Sequence, residues 1–128
     1  MTPTAPSSDQ ILAGMAASLN GTVPAAARLA GRVAPDLLAR HVQDSGFAMP
    51  KDDSGALPAE TRTLIYLAVA LATGSRACVE AMTEKAQAQG IEGAKLLEAF
   101  KIARFAEASR VLGNAEPLLA ALEGRGRG

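Results

Sequence analysis

The sequence predicts an all-α fold, and three observations carry that expectation. The chain is rich in Ala and Leu yet has no Trp, one Tyr and three Phe. Ala and Leu lose little on entering a helix, whereas β-branched and aromatic residues dominate strands. Apolar residues recur at helical spacing in segment after segment, and no segment alternates with period two. Pro and Gly stand at the ends of these segments, where helices start and stop. At 128 residues the chain reads as one domain over residues 9–123 with a core of its own. A disordered lead over residues 1–8 precedes it, and a flexible Gly/Arg tail over 124–128 follows.

About six to seven helices are expected. Ser8 or Asp9 can cap a first helix carrying Ile11, Leu12, Met15 and Leu19, which ends near Asn20-Gly21. Pro24 suits the first turn of a short second helix with Ala27, Leu29 and Ala30. Pro35 opens a third, with Leu37, Leu38, His41 and Val42 on one side, closing before Gly46. Residues 49–55 combine turn formers with charge and read as an exposed loop. Pro58 begins a helix through Thr73 that is polar in its first turn and apolar almost all round thereafter, as in a helix buried in its domain or at a subunit interface. Gly74 ends it. Ser75 can cap the next helix, which runs to Gln89 before Gly90. A long amphipathic helix over residues 92–112 presents Leu96, Leu97, Phe100, Ala103, Phe105 and Val111, and residues 116–122 add a last short turn.

Composition excludes several function classes. Thirteen basic residues balance thirteen acidic ones, so no field draws the chain to nucleic acid or to an anionic membrane. A single cysteine makes no intrachain disulfide. Residues 1–8 lack the basic start and apolar centre of a signal peptide, and residues 64–72 are far too short to span a bilayer. A cytoplasmic, soluble protein is expected. One His and one Cys make no ordinary metal site. No phosphate loop, Rossmann glycine pattern or nucleophile elbow is present, so no cofactor is expected.

The residues that carry chemistry gather around Cys78. It falls in the first turn of a helix, near the positive end of the backbone dipole, where a thiolate is favoured. It also reads, and reads first, as a small apolar residue packed in a helical core. Arg76 lies close in sequence but points off at another angle. Met82 is a core side chain by character. His41 reads as structural or solvated, and Tyr66 as a core residue with its hydroxyl tied to a carbonyl. Glu80, Glu84 and Lys85 look like the outer face of the Cys78 helix, with two like charges four residues apart.

Residues 57–112 resemble the carboxymuconolactone decarboxylase and alkylhydroperoxidase D-like family. Leu57-Pro58-Ala59-Glu60-Thr61-Arg62-Thr63-Leu64-Ile65 is similar to its "L-S-x-x-x-R-E-L-I" helix start, and Leu67-Ala68-Val69-Ala70 to its "L-A-V-A" stretch. Ser75-Arg76-Ala77-Cys78 follows at the spacing of its C-x-x-C helix. Gly90-Ile91 and then Lys95-Leu96-Leu97-Glu98-Ala99-Phe100 resemble its "G-A-x-x-x-E-I-x-E-A" continuation.

The resemblance implies an alkylhydroperoxidase D-like helical bundle, commonly a trimer or hexamer, with peroxiredoxin-type antioxidant chemistry. Active members use C-x-x-C-x-x-x-H and a glutamate on the preceding helix. One thiolate attacks, the other resolves, and the histidine and glutamate move protons. Here Cys78 takes the second cysteine position, Ser75 the first, Met82 the histidine position and Thr63 the glutamate position. Ser75 forms no disulfide, Met82 transfers no proton, and Thr63 is no base near neutral pH. The motif is degenerate. The first expectation is therefore a member with little or no peroxidase activity and a structural, binding or regulatory role. The alternative is a one-cysteine thiol peroxidase or disulfide reductase with Cys78 as nucleophile and a separate thiol or protein as reductant. Lyase chemistry of the decarboxylase type is the weakest reading.

Overall fold

The computed structural model describes residues 5–126. Seven helices follow one another: α1 (Ser8–Ser18), α2 (Ala25–Val33), α3 (Pro35–Ala48), α4 (Ala59–Thr73), α5 (Arg76–Ala88), α6 (Gly93–Asn114) and α7 (Glu116–Gly126). Among the described residues there is no strand. The all-α expectation holds. Residues 1–4 of the expected lead and 127–128 of the expected tail lie outside the described residues.

Several ends differ from those expected. The cap of α1 is Ser7, whose hydroxyl accepts from the Gln10 amide while the Gln10 side chain accepts from the Ser7 amide. This reciprocal box satisfies two orphan amide donors, which a cap at Ser8 or Asp9 would not do here. Helix α3 runs through Gly46 to Ala48, and α7 runs through Gly124 to Gly126. A glycine ends a helix when the backbone turns left-handed, as at Gly74 (φ 76°) and Gly90 (φ 69°). Gly46 and Gly124 make no such turn.

The helices form two groups. In the first, α1, α2 and α3 pack on one another; in the second, α4 packs against both α5 and α6, and α7 rests on α6. Leu67 and Ala70 of α4, Met82 and Ala86 of α5, and Ala99 and Ala103 of α6 are buried. The α6 contact is made by alanines, whose small side chains let two backbones approach closely. Large residues expected on its apolar stripe turn outward instead: Phe105 is 71 % exposed, Val111 60 % and Leu97 59 %. Lys95 of α6 pairs with Glu60 of α4 at 2.7 Å.

The groups meet along a seam. Asn20 Nδ2 donates to Glu84 Oε2 at 3.1 Å and to Gln87 Oε1 at 3.2 Å. Arg62, buried at the start of α4, donates through Nη1 to the carbonyls of Pro50 and Asp52. Asp53 Oδ1 accepts from the first amide of α4, that of Ala59, at 2.8 Å. The loop between α3 and α4 is thus fastened to α4 at several points.

Candidate functional site

Gly74, left-handed, lets α5 fold back beside α4, and Ser75 becomes the residue before α5. Its hydroxyl makes no cap hydrogen bond to the helix. Ser75 caps the helix by position only, and its side chain favours the Cys78 thiolate instead. Cys78 is the third residue of α5, and the first intrahelical bond there runs from Val79 N to Ser75 O. The amides of the first three residues therefore face the thiol's end of the helix without intrahelical partners.

From α4, the Tyr66 hydroxyl lies 3.3 Å from Cys78 Sγ. Tyr66 was expected to satisfy a carbonyl; the sulfur takes that hydrogen bond because α4 and α5 are neighbouring arms of one hairpin. The two groups shift in opposite senses. The Ser75 hydroxyl first, then the Tyr66 hydroxyl, hold the thiol below its ordinary value, against a partial desolvation penalty. The bond to Cys78, followed by burial, pushes the Tyr66 phenol up. Both shifts have one sense: on losing a proton, the pair gives it up from sulfur before the tyrosine oxygen.

The thiol is half-buried and opens onto a cavity of about 570 Å³. Its walls include Ser75, Tyr66, Ile65, Val69, His41 and Arg62. His41 is an exposed residue of α3, and shares this cavity with Cys78.

The family positions separate into two sets. Ser75 and Cys78 share the cavity wall. Met82, one turn beyond Cys78, is buried in the core and lines a neighbouring cavity. Thr63 is fully buried, its hydroxyl 2.8 Å from Gln89 Oε1 and 3.3 Å from the Ala59 carbonyl. Its hydroxyl bonds lead to the far end of α5, away from the sulfur. Tyr66, one turn further along α4, is the residue whose hydroxyl reaches Cys78.

The charged residues near Cys78 are also sorted. Arg76 pairs with Glu80 at 3.1 Å on the exposed face, so its charge is met there. Lys85 departs from the expected outer face: it is half-buried and lines the same cavity as Met82. The spacing of Cys78, Met82 and Lys85, at i, i+4 and i+7, is the signal that places all three on one stripe of α5.

The family model of the carboxymuconolactone decarboxylase family matches residues 37–121. The chain belongs to this family. The match extends beyond the 57–112 segment that carries the resemblance, and takes in α3 with His41 and the first half of α7. No curated protein matches the chain. No helix among the described residues is long and apolar enough to cross a membrane, and no group of three or more His, Cys, Asp or Glu residues among them is arranged to hold a metal.

Proposed function

We propose that this protein is a one-cysteine thiol oxidoreductase of its family, degenerate with respect to the two-cysteine cycle. The observation that carries this reading is the Tyr66 hydroxyl 3.3 Å from a half-buried sulfur, on a cavity wall that Ser75 shares. An inert core cysteine would have no use for a phenol hydrogen bond and an opening. This moves the alternative of the sequence reading ahead of the purely structural role.

The Cys78 thiolate attacks the outer oxygen of a hydroperoxide, an S–O bond forms and the O–O bond breaks. The departing alkoxide takes a proton from the adjacent Tyr66 hydroxyl and leaves as an alcohol; the phenolate regains from solvent the proton that the thiol released on ionising. Cys78 becomes a sulfenic acid. With no second cysteine in the chain, an external thiol condenses with it, releasing water and giving a mixed disulfide. A second external thiol then frees Cys78. A cytoplasmic setting, where small thiols are abundant, suits this cycle.

Treatment with one equivalent of hydroperoxide should leave a dimedone-reactive sulfenic acid on Cys78, detected by mass spectrometry and lost in Cys78→Ser. Peroxide consumption should stay near background without a small monothiol or a protein reductant. A folded protein whose Cys78 gives no adduct would return the thiol to a structural role.

We also propose that the chain works as a homo-oligomer, a trimer or hexamer by family resemblance. The support is the outward row of Ile102, Phe105 and Leu112 on α6, continued by Leu118 and Leu119 on α7. Apolar rows of this extent mark association surfaces. A monomer by light scattering at micromolar concentration would refute it.

A further inference from the structure

The thiol cavity does not end at Tyr66. A second cavity of about 450 Å³ lies along the seam between the helix groups, and the two share His41, Ser45, Met49 and Tyr66 as walls. They adjoin at these four residues, a first chamber at the sulfur and a second along the seam. The first chamber is mostly apolar around the sulfur. The second carries Lys51 and Lys85 on its wall, with no Asp or Glu among its lining residues.

The cationic end is not neutralised from within. Among the described residues neither Lys51 nor Lys85 forms an ion pair. Burial, and then the like charges of Lys51 and Arg62, hold the Lys85 ammonium below its ordinary value. Arg62, on the wall of the first chamber, keeps Nη2 buried with no hydrogen-bond partner. Arg62 is met by the carbonyls of Pro50 and Asp52 and by the Asp52 carboxylate, and Asp44 lines the first chamber. The half-buried Lys85 shares the second chamber with Lys51 and no carboxylate, a place that an anion would complete.

Geometry sets the length of what fits. Cys78, Met82 and Lys85 lie on one stripe of α5, and seven residues of helix span about 10 Å. Along that stripe the surface between sulfur and ammonium is the Met82 side chain, joined across the cleft by Met49 and Tyr66.

We propose that the two chambers join as one cleft and bind an amphipathic organic acid, with its carboxylate at Lys51 and Lys85, its hydrocarbon chain along Met82, Met49 and Tyr66, and its far end at Cys78. The substrate class of the thiol is then a hydroperoxide that carries a carboxylate at the other end of an apolar chain. That last step rests on the reading of Cys78 as a reactive thiol; binding of the acid does not.

The test uses decanoate, decanol and inorganic phosphate, each titrated calorimetrically into the full chain and into Cys78→Ser, the first two below their aggregation limits. Decanoate should bind both proteins saturably, about tenfold tighter than decanol, a difference of about 1.4 kcal/mol. Phosphate should not saturate. Lys85→Met and Lys51→Gln should each weaken decanoate severalfold and leave decanol unchanged; Lys51 sits on an exposed loop, so its variant keeps the fold. Saturating decanoate should slow labelling of Cys78 by iodoacetamide in the unmodified chain. Equal binding of decanol, indifference to both lysine variants, phosphate as tight as decanoate, or labelling undiminished by decanoate would each overturn the proposal. Because binding is also read in Cys78→Ser, decanoate bound beside a thiol inert to peroxide would sink the redox reading alone.

Discussion

Two neighbouring turns of α4 each offer a hydroxyl to α5, and the two serve different ends. Thr63 is 0 % exposed and its hydroxyl is answered by Gln89 and by its own helix. Tyr66 is 37 % exposed and its hydroxyl meets a sulfur on a cavity wall. The first is a satisfied polar group inside a helix contact, where hydrogen bonding contributes to stability. The second places a hydroxyl beside the thiol. If Cys78 acts as proposed, the site lies one helical turn from where the family's glutamate position points.

The largest test of that difference is a covalent one. Ser75→Cys should pair with Cys78, since the two residues stand one helical turn apart and line one wall. Thr63→Cys should leave Cys78 free. Intact mass and thiol titration after mild oxidation read both. A disulfide from position 63, or none from position 75 in a folded protein, would break the comparison.

Next in size is the loss of the phenol. Tyr66→Phe should slow alkylation of Cys78 near neutral pH severalfold and move the pH midpoint of labelling upward, because a donor to the thiolate is gone. Stability should follow with a definite sign. The thiol's folded pKa is lowered from an ordinary value of about 9.0. Its contribution is therefore fully present above that ordinary value and fades as pH falls through the lowered one. Tyr66→Phe should flatten this rise, measured by denaturant unfolding across the window. An unchanged labelling profile would mean that the phenol does not act on the sulfur.

The smallest effect belongs to Thr63. Thr63→Val keeps the shape and removes the hydroxyl, so unfolding should weaken by about 1 kcal/mol while the labelling profile of Cys78 stays put. A shifted profile would draw Thr63 back into the site.

Much of the fold is legible before any coordinates are seen. Pro35, Gly74 and Gly90 mark real helix ends because proline fixes one dihedral and those two glycines turn left-handed. Gly46 and Gly124 have the same side chain and stay helical, a choice made by the surrounding packing. The size of α6's residues misleads in a similar way: burial there goes to Ala99 and Ala103, because the partner helix comes close, and the phenylalanines are left outside. Of the site, Ser75 beside Cys78 follows from helix spacing alone. Tyr66 on Cys78 does not, since twelve residues and a reversal of direction separate them. Lys85 was within reach of the same spacing argument that places Met82, and its charge concealed it.

The loop between α3 and α4 has the look of a cleavage site, exposed and full of Asp, Ser, Gly and Pro, the composition in which proteases find purchase on a folded surface. An enzyme that cuts a chain must draw several residues out into an extended strand. Here Arg62 grips the carbonyls of Pro50 and Asp52 while Asp53 holds the amide of Ala59. Pulling the segment free would strand a guanidinium in the interior and uncap a helix together, so a protease arriving at this loop meets a strap already buckled down.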